Sequence, residues 1–196
     1  MPNTSYVSIP VIWFLALFTY LVIRLTGLPW EVFGLTLHNW KRALCEAFIF
    51  LIPGCLALVL VKWALIEFHP SFSGHKLFEP FNLIANKHDR NFQYWLILNG
   101  AYWVFVPLQE LMARGALQGL LERFLTGKYK IGISIFASNL IFSTAHVFIS
   151  ETLGIIMLGS GMVLGYLYSR THTLIGCTVA HALGGTWALS VIGFMP

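Results

Sequence analysis

The chain has 196 residues, of which 57% are hydrophobic and 10% charged, with a mean hydropathy of +0.74. A water-soluble domain carries about 25% charged residues, so the composition excludes one and specifies an integral membrane protein. The net charge is only +4, and no basic cluster with interleaved aromatics lies outside the apolar stretches. Nucleic acid is therefore not an expected partner; the lipid bilayer is.

A membrane-crossing helix needs about 20 mostly apolar residues. Six stretches meet that measure, at roughly 7–25, 45–66, 93–121, 131–150, 152–170 and 173–194. The predicted fold is an all-α bundle of six transmembrane helices, forming a single domain over 1–196. The first apolar run, Val7 to Ile23, has no basic residue before it and no small-residue cleavage site after it. It reads as a retained span rather than a signal peptide. The third span is long, and Pro107 is expected to bend it, because proline removes a helix hydrogen bond. A tight turn near Glu151 separates the fourth span from the fifth. Cys45, Cys55 and Cys177 lie in or beside apolar spans without metal-type spacing, and read as small buried residues.

The connections place Lys and Arg unequally. Arg24, Lys41, Arg42, Arg123, Lys128, Lys130 and Arg170 fall on one side, against Lys76, Lys87 and Arg90 on the other. The first side is expected to be cytoplasmic, which puts both termini outside, in a plasma membrane of the bacterial inner-membrane type. In residues 26–44, Trp30 and Trp40 beside Lys41 and Arg42 suit an interfacial anchor; a gate over a substrate entrance is the alternative. The polar loop at 67–92 holds His69, His75, His88 and Asp89, whose spacing matches no metal template, so ordinary solvated histidines are expected. Gly115-xxx-Gly119 and Gly161-xxx-Gly165 place small residues on one face of their helices and allow close helix approach.

The chemistry concentrates in Pro107-Leu108-Gln109-Glu110-Leu111-Met112-Ala113-Arg114-Gly115, inside the third span. Glu110 and Arg114 are four apart, with the acid N-terminal, the favourable order for a pair on one helix face. In hydrocarbon, ionisable groups are costly and mark functional positions. Two more follow in separate spans, His146 in the fourth and His181 in the sixth. Asn139 lies seven residues before His146 on nearly the same face, where it can orient His146, line a cavity or simply join two helices. Gln118, four after Arg114, extends the same seam. A polar site between spans three, four and six is the expectation.

Three pieces, Gln109-Glu110-xxx-Arg114, Phe142-xxx-His146 and His181-xxx-Gly185, occur in that order, with Gly165-Tyr166-Leu167-Tyr168-Ser169-Arg170 between the second and third. Together they resemble the CPBP (Abi) family, which includes the type II CAAX prenyl endopeptidases and whose pattern is Glu-Glu-xxx-Arg, Phe-xxx-His and His-xxx-Asn or Asp. The resemblance covers a core at 107–187. It implies intramembrane hydrolysis of a peptide bond in a membrane-embedded or lipidated peptide or protein. It also implies roles. Gln109 stands at the water-activating position with His146 as its partner. His181 stands as oxyanion donor, Gly185 at the position of a second donor, and Glu110 and Arg114 in support.

Two of these positions depart from the pattern. The Gln109 amide positions a water by hydrogen bonds but takes no proton near neutral pH. Gly185 has no side-chain donor, and one such donor is worth about 3–4 kcal/mol in hydrolases. Three readings stay open: Glu110 serves as base, His146 serves as base, or the chain is a proteolytically silent relative acting as a membrane scaffold or binding protein. A small transporter is a further alternative, against which stands the absence of paired broken-helix repeats. No cofactor is expected. Zinc held by Glu110, His146 and His181 is the alternative, although the chain has no His-Glu-xx-His motif.

Overall fold

Apolar stretches in a bilayer must satisfy their backbone internally, so each becomes a helix. A computed structural model describes residues 5–84, 86–147 and 151–194. Among the described residues six long helices follow one another: α1 (Ser5–Thr26), α2 (Trp40–Phe68), α3 (Phe92–Phe124), α4 (Lys130–Val147), α5 (Glu151–Thr171) and α6 (Leu174–Val191). No strand occurs among the described residues. By length and composition, four of them are long and apolar enough to cross a membrane: α2, α3, α6 and the Leu153–Thr171 part of α5. The apolar part of α1, Pro10–Thr26, is shorter, and α4 is diluted by Ser134, Ser138, Asn139, Ser143 and His146. The last residues of the expected fourth span, 148–150, lie outside the described residues.

The helices present apolar side chains outward. Phe14, Leu17, Ile49, Leu56, Ile97 and Ile155 are each more than half exposed. Apolar surface costs about 25 cal/mol per Å² in water, and a bilayer removes that cost. Inside, the charged and amide side chains Glu110, Arg114, Gln118 and Asn139 are completely buried. The protein is therefore an all-α integral membrane protein with an apolar exterior and a polar seam.

The segment between α1 and α2 does more than anchor. Trp30 and Trp40 are exposed, as an interfacial belt requires. Between them, Trp30–Phe33 forms a 3-10 turn whose Phe33 is completely buried. A Cβ on Gly115 would come within 2.5 Å of the Phe33 carbonyl oxygen, and one on Gly119 within 2.9 Å of the Tyr168 hydroxyl. Gly115-xxx-Gly119 thus admits the connecting turn at Gly115 and the Tyr168 side chain of α5 at Gly119. The segment is stitched to the start of α6 by Leu174 N–H donating to the Gly34 carbonyl (3.0 Å) and Thr173 Oγ1 donating to the Thr36 carbonyl (2.8 Å).

Ion pairs tie the two ends of α2. At its start, Glu46 receives Arg42 Nε at 2.8 Å and a two-point contact from Arg170, Nε at 2.7 Å and Nη2 at 3.1 Å, joining α2 to the end of α5. Toward its other end, the buried Lys62 donates to Glu79 Oε2 (2.9 Å) and to the Ile192 carbonyl (2.6 Å). A cation there meets the unpaired carbonyls that end α6. His75 Nδ1 donates to the same Glu79 oxygen at 3.2 Å, so this loop histidine is engaged rather than merely solvated. Of the cysteines, Cys177 is buried as expected, Cys55 is half-buried and Cys45 is exposed.

Candidate active site

The helical path of α3 continues through Pro107, and its departure from α geometry comes after Glu110. Leu111–Gln118 pairs its backbone as a π-helix. Glu110, Arg114, Gln118 and Glu122 are spaced by four, and on a helix of 3.6 residues per turn such a series drifts about 40° per step. The wider π turn reduces that drift. All four side chains stay on the inner face, exposed by 0%, 0%, 0% and 8%. Such turns recur at functional sites.

Each rung of this ladder has partners on other helices. Glu110 Oε1 accepts from His181 Nδ1 of α6 at 2.7 Å. Its second oxygen lies 3.4 Å from Arg114 Nε. Arg114 Nη2 donates to Asn139 Oδ1 of α4 (3.3 Å), and Asn139 Nδ2 donates to the Leu158 carbonyl of α5 (2.6 Å). One turn further on, Gln118 Nε2 lies 2.9 Å from Glu122 Oε1, the Gly165 carbonyl and Ser169 Oγ. Ser169 Oγ also donates to Glu122 in a short bond. The two glycines of the α5 stripe make room for these groups. A Cβ on Gly161 would overlap the Asn139 amide, and one on Gly165 would come within 2.9 Å of Gln118 Oε1.

The structure brings some of the expected site residues together and separates others. Glu110, Arg114, His181 and Asn139 form one buried chain of contacts across α3, α4 and α6. His146 stands beside it. Its Nδ1 donates to the Phe142 carbonyl at 2.8 Å, and its ring lies 4.5 Å from the Phe142 ring. That same ring meets His181 edge-on at 5.9 Å and lies 5.3 Å under the Arg114 guanidinium. Phe142 therefore touches both histidines, and no hydrogen bond among the described residues joins His146 to Glu110 or His181. Asn139 engages Arg114, not His146. Gln109 Oε1 is buried with no hydrogen-bond partner among the described residues.

Gly185 has a neighbour the sequence did not reveal. Tyr102 of α3 donates its hydroxyl to the His181 carbonyl at 3.1 Å, and its ring meets the His181 ring edge-on at 6.0 Å. A Cβ on Gly185 would overlap this hydroxyl. The glycine signalled a filled space; which residue fills it depends on how α3 lies on α6. Trp95 Nε1 sets that register by donating to the Ser190 carbonyl at 2.9 Å.

His181 and Gly185 also form part of the wall of a cavity of about 420 Å³ between α2, α5 and α6. Leu51, Leu58, Ile156, Val163 and Leu189 make most of the remaining surface apolar. Among the described residues no three His, Cys, Asp or Glu groups are placed to hold a metal ion.

The family comparison agrees with this assembly. Residues 91–186, which contain Glu110, His146, His181 and Gly185, match the family model described as type II CAAX prenyl endopeptidase Rce1-like. They form an Rce1-like domain. The match supports membership of the CPBP family, and the domain begins at the start of α3, upstream of the motif core at 107–187. No curated protein and no solved structure matches the chain.

Proposed function

We propose that the chain is an intramembrane endopeptidase of the CPBP type, acting on a membrane-embedded or lipidated peptide or protein. The observation that carries this reading is the buried Glu110–His181 pair, at 2.7 Å, whose histidine lines an apolar cavity. An Rce1-like domain supports the same relationship. The carboxylate accepts from Nδ1, which leaves Nε2 of a neutral His181 with its lone pair free. This is the arrangement in which a buried acid orients an imidazole as a general base.

The roles therefore divide differently from those implied by the family pattern. Gln109 Oε1 accepts a hydrogen bond from the attacking water and positions it. His181 Nε2 takes one proton as the water oxygen bonds to the scissile carbonyl carbon. The carbonyl π pair moves onto the carbonyl oxygen. When that pair returns, the C–N bond breaks and the amine leaves with the proton from His181. Glu110 stabilises the imidazolium between these steps, and Arg114 lies beside the second Glu110 oxygen. Phe142 and His146 pack behind His181. The apolar cavity takes the hydrophobic part of the substrate. A non-catalytic scaffold is the second reading, favoured by the departures at Gln109 and Gly185.

The deciding experiment uses the full chain reconstituted in lipid vesicles with a quenched-fluorescent membrane peptide library. Cleavage should fall at least about 100-fold in His181→Ala and in Glu110→Gln. Identical background from all three proteins removes the peptidase reading and leaves the scaffold.

A further inference from the structure

Resting on the peptidase reading, we infer that Tyr102 is the second catalytic donor of this site, its phenol standing where the family pattern places an Asn or Asp. Three observations converge on it. Position 185 is glycine, and a side chain there would overlap the Tyr102 hydroxyl, so the two cannot both be present without movement. The hydroxyl is fixed to the backbone of the catalytic helix, 3.1 Å from the His181 carbonyl. Gly185 itself lines the cavity beside His181, so the phenol stands directly behind that stretch of wall.

The chemistry is complete with this group. If His181 is the base, it is not available as oxyanion donor in the attack step. A neutral phenol carries one O–H and can turn it from the His181 carbonyl to the developing oxyanion. Water adds to the carbonyl carbon, its proton goes to His181 Nε2, and the π pair placed on oxygen is held by the Tyr102 O–H. On collapse the pair reforms the C=O bond, the C–N bond breaks with its electron pair leaving on nitrogen, the amine takes the proton from His181, and the phenol returns to the backbone carbonyl. Its own proton is never transferred. The substitution at position 185 is thereby a relocation of the donor from α6 to α3.

The test compares cleavage of one peptide by the reconstituted full chain, Tyr102→Phe, Tyr102→Ala and the double variant Tyr102→Ala/Gly185→Asn, with His181→Ala as background. Tyr102→Phe keeps the ring and should lower kcat about 100-fold with KM within about twofold, the signature of a group that acts on the transition state. The double variant reopens the space for an Asn and should exceed Tyr102→Ala at least about tenfold. A Tyr102→Phe kcat within about threefold of the parent overturns the proposal while the peptidase reading stands. So does a folded double variant no faster than Tyr102→Ala. A parent chain no faster than His181→Ala removes both.

Discussion

Gly161→Ala is the sharpest test of how this membrane core is held together. Gly161 lies on α5 against the Asn139 amide, and an added Cβ would overlap that amide while sitting 3.1 Å from Arg114 Nη2. Asn139 is completely buried and cannot swing outward. It must give up its bond to Arg114 (3.3 Å), its bond to the Leu158 carbonyl (2.6 Å), or both. A hydrogen bond to a charged group contributes about 1.5–3 kcal/mol, and a buried polar atom left unpaired costs about 1–3 kcal/mol. The expected destabilisation is about 3 kcal/mol, offset by less than about 1 kcal/mol from the better helix propensity of alanine. For a chain of this size that corresponds to a Tm lowered by about 6–12 °C. The control is Gly159→Ala, two residues earlier on the same helix, where an added Cβ meets nothing within 4 Å. It should be neutral or raise Tm slightly. Thermal unfolding of both variants in one detergent reads the difference. Equal midpoints for the two would refute the argument that Gly161 exists to seat the Asn139–Arg114 contact.

Three further outcomes are expected. Lys62→Met should lower stability by about 1–3 kcal/mol, because it strips Glu79 and the Ile192 carbonyl of their shared donor; chemical denaturation at neutral pH measures it. Burial by itself raises the Glu79 carboxyl, but the hydrogen bonds from Lys62 and His75 outweigh it and hold the group below its ordinary value of 4.5. The unfolded chain then binds the proton first, so this contribution is intact above pH 4.5 and is lost as pH falls below it. Glu79→Gln should remove that part of the acid dependence, visible as a shallower fall of Tm from pH 5 to about 3; an unchanged slope contradicts the latch. Arg170→Lys should lower stability only slightly, since Lys cannot reproduce the two-point contact with Glu46 but the Arg170 side chain is partly exposed; a double-mutant cycle with Glu46→Gln measures the coupling.

The fold class was legible because hydropathy acts locally. A run of apolar residues in a bilayer has no choice but helix, and all six helices coincide with stretches visible along the chain. The ionisable residues at 110, 114 and 181 were legible for the same reason: a charge in hydrocarbon must find a partner. Distance and direction were not. The turn at 30–33 read as a belt on the surface, yet Phe33 sits fully buried beneath Gly115. Glu110 and Arg114 looked like a pair within one helix, yet the shorter contact of Glu110 reaches across to His181, 71 positions away.

What the sequence determined by itself is a membrane helical bundle with a few ionisable groups that cannot face lipid. Only the tertiary structure decided which of those groups meet. The π turn after Glu110 brings four side chains to one face. The Phe142 ring packs against both His146 and His181. The lie of α3 against α6 fills the place of a missing side chain at Gly185 with the Tyr102 phenol. These outcomes depend on helix register and on volumes contributed by distant parts of the chain, and no local pattern of residues encodes either.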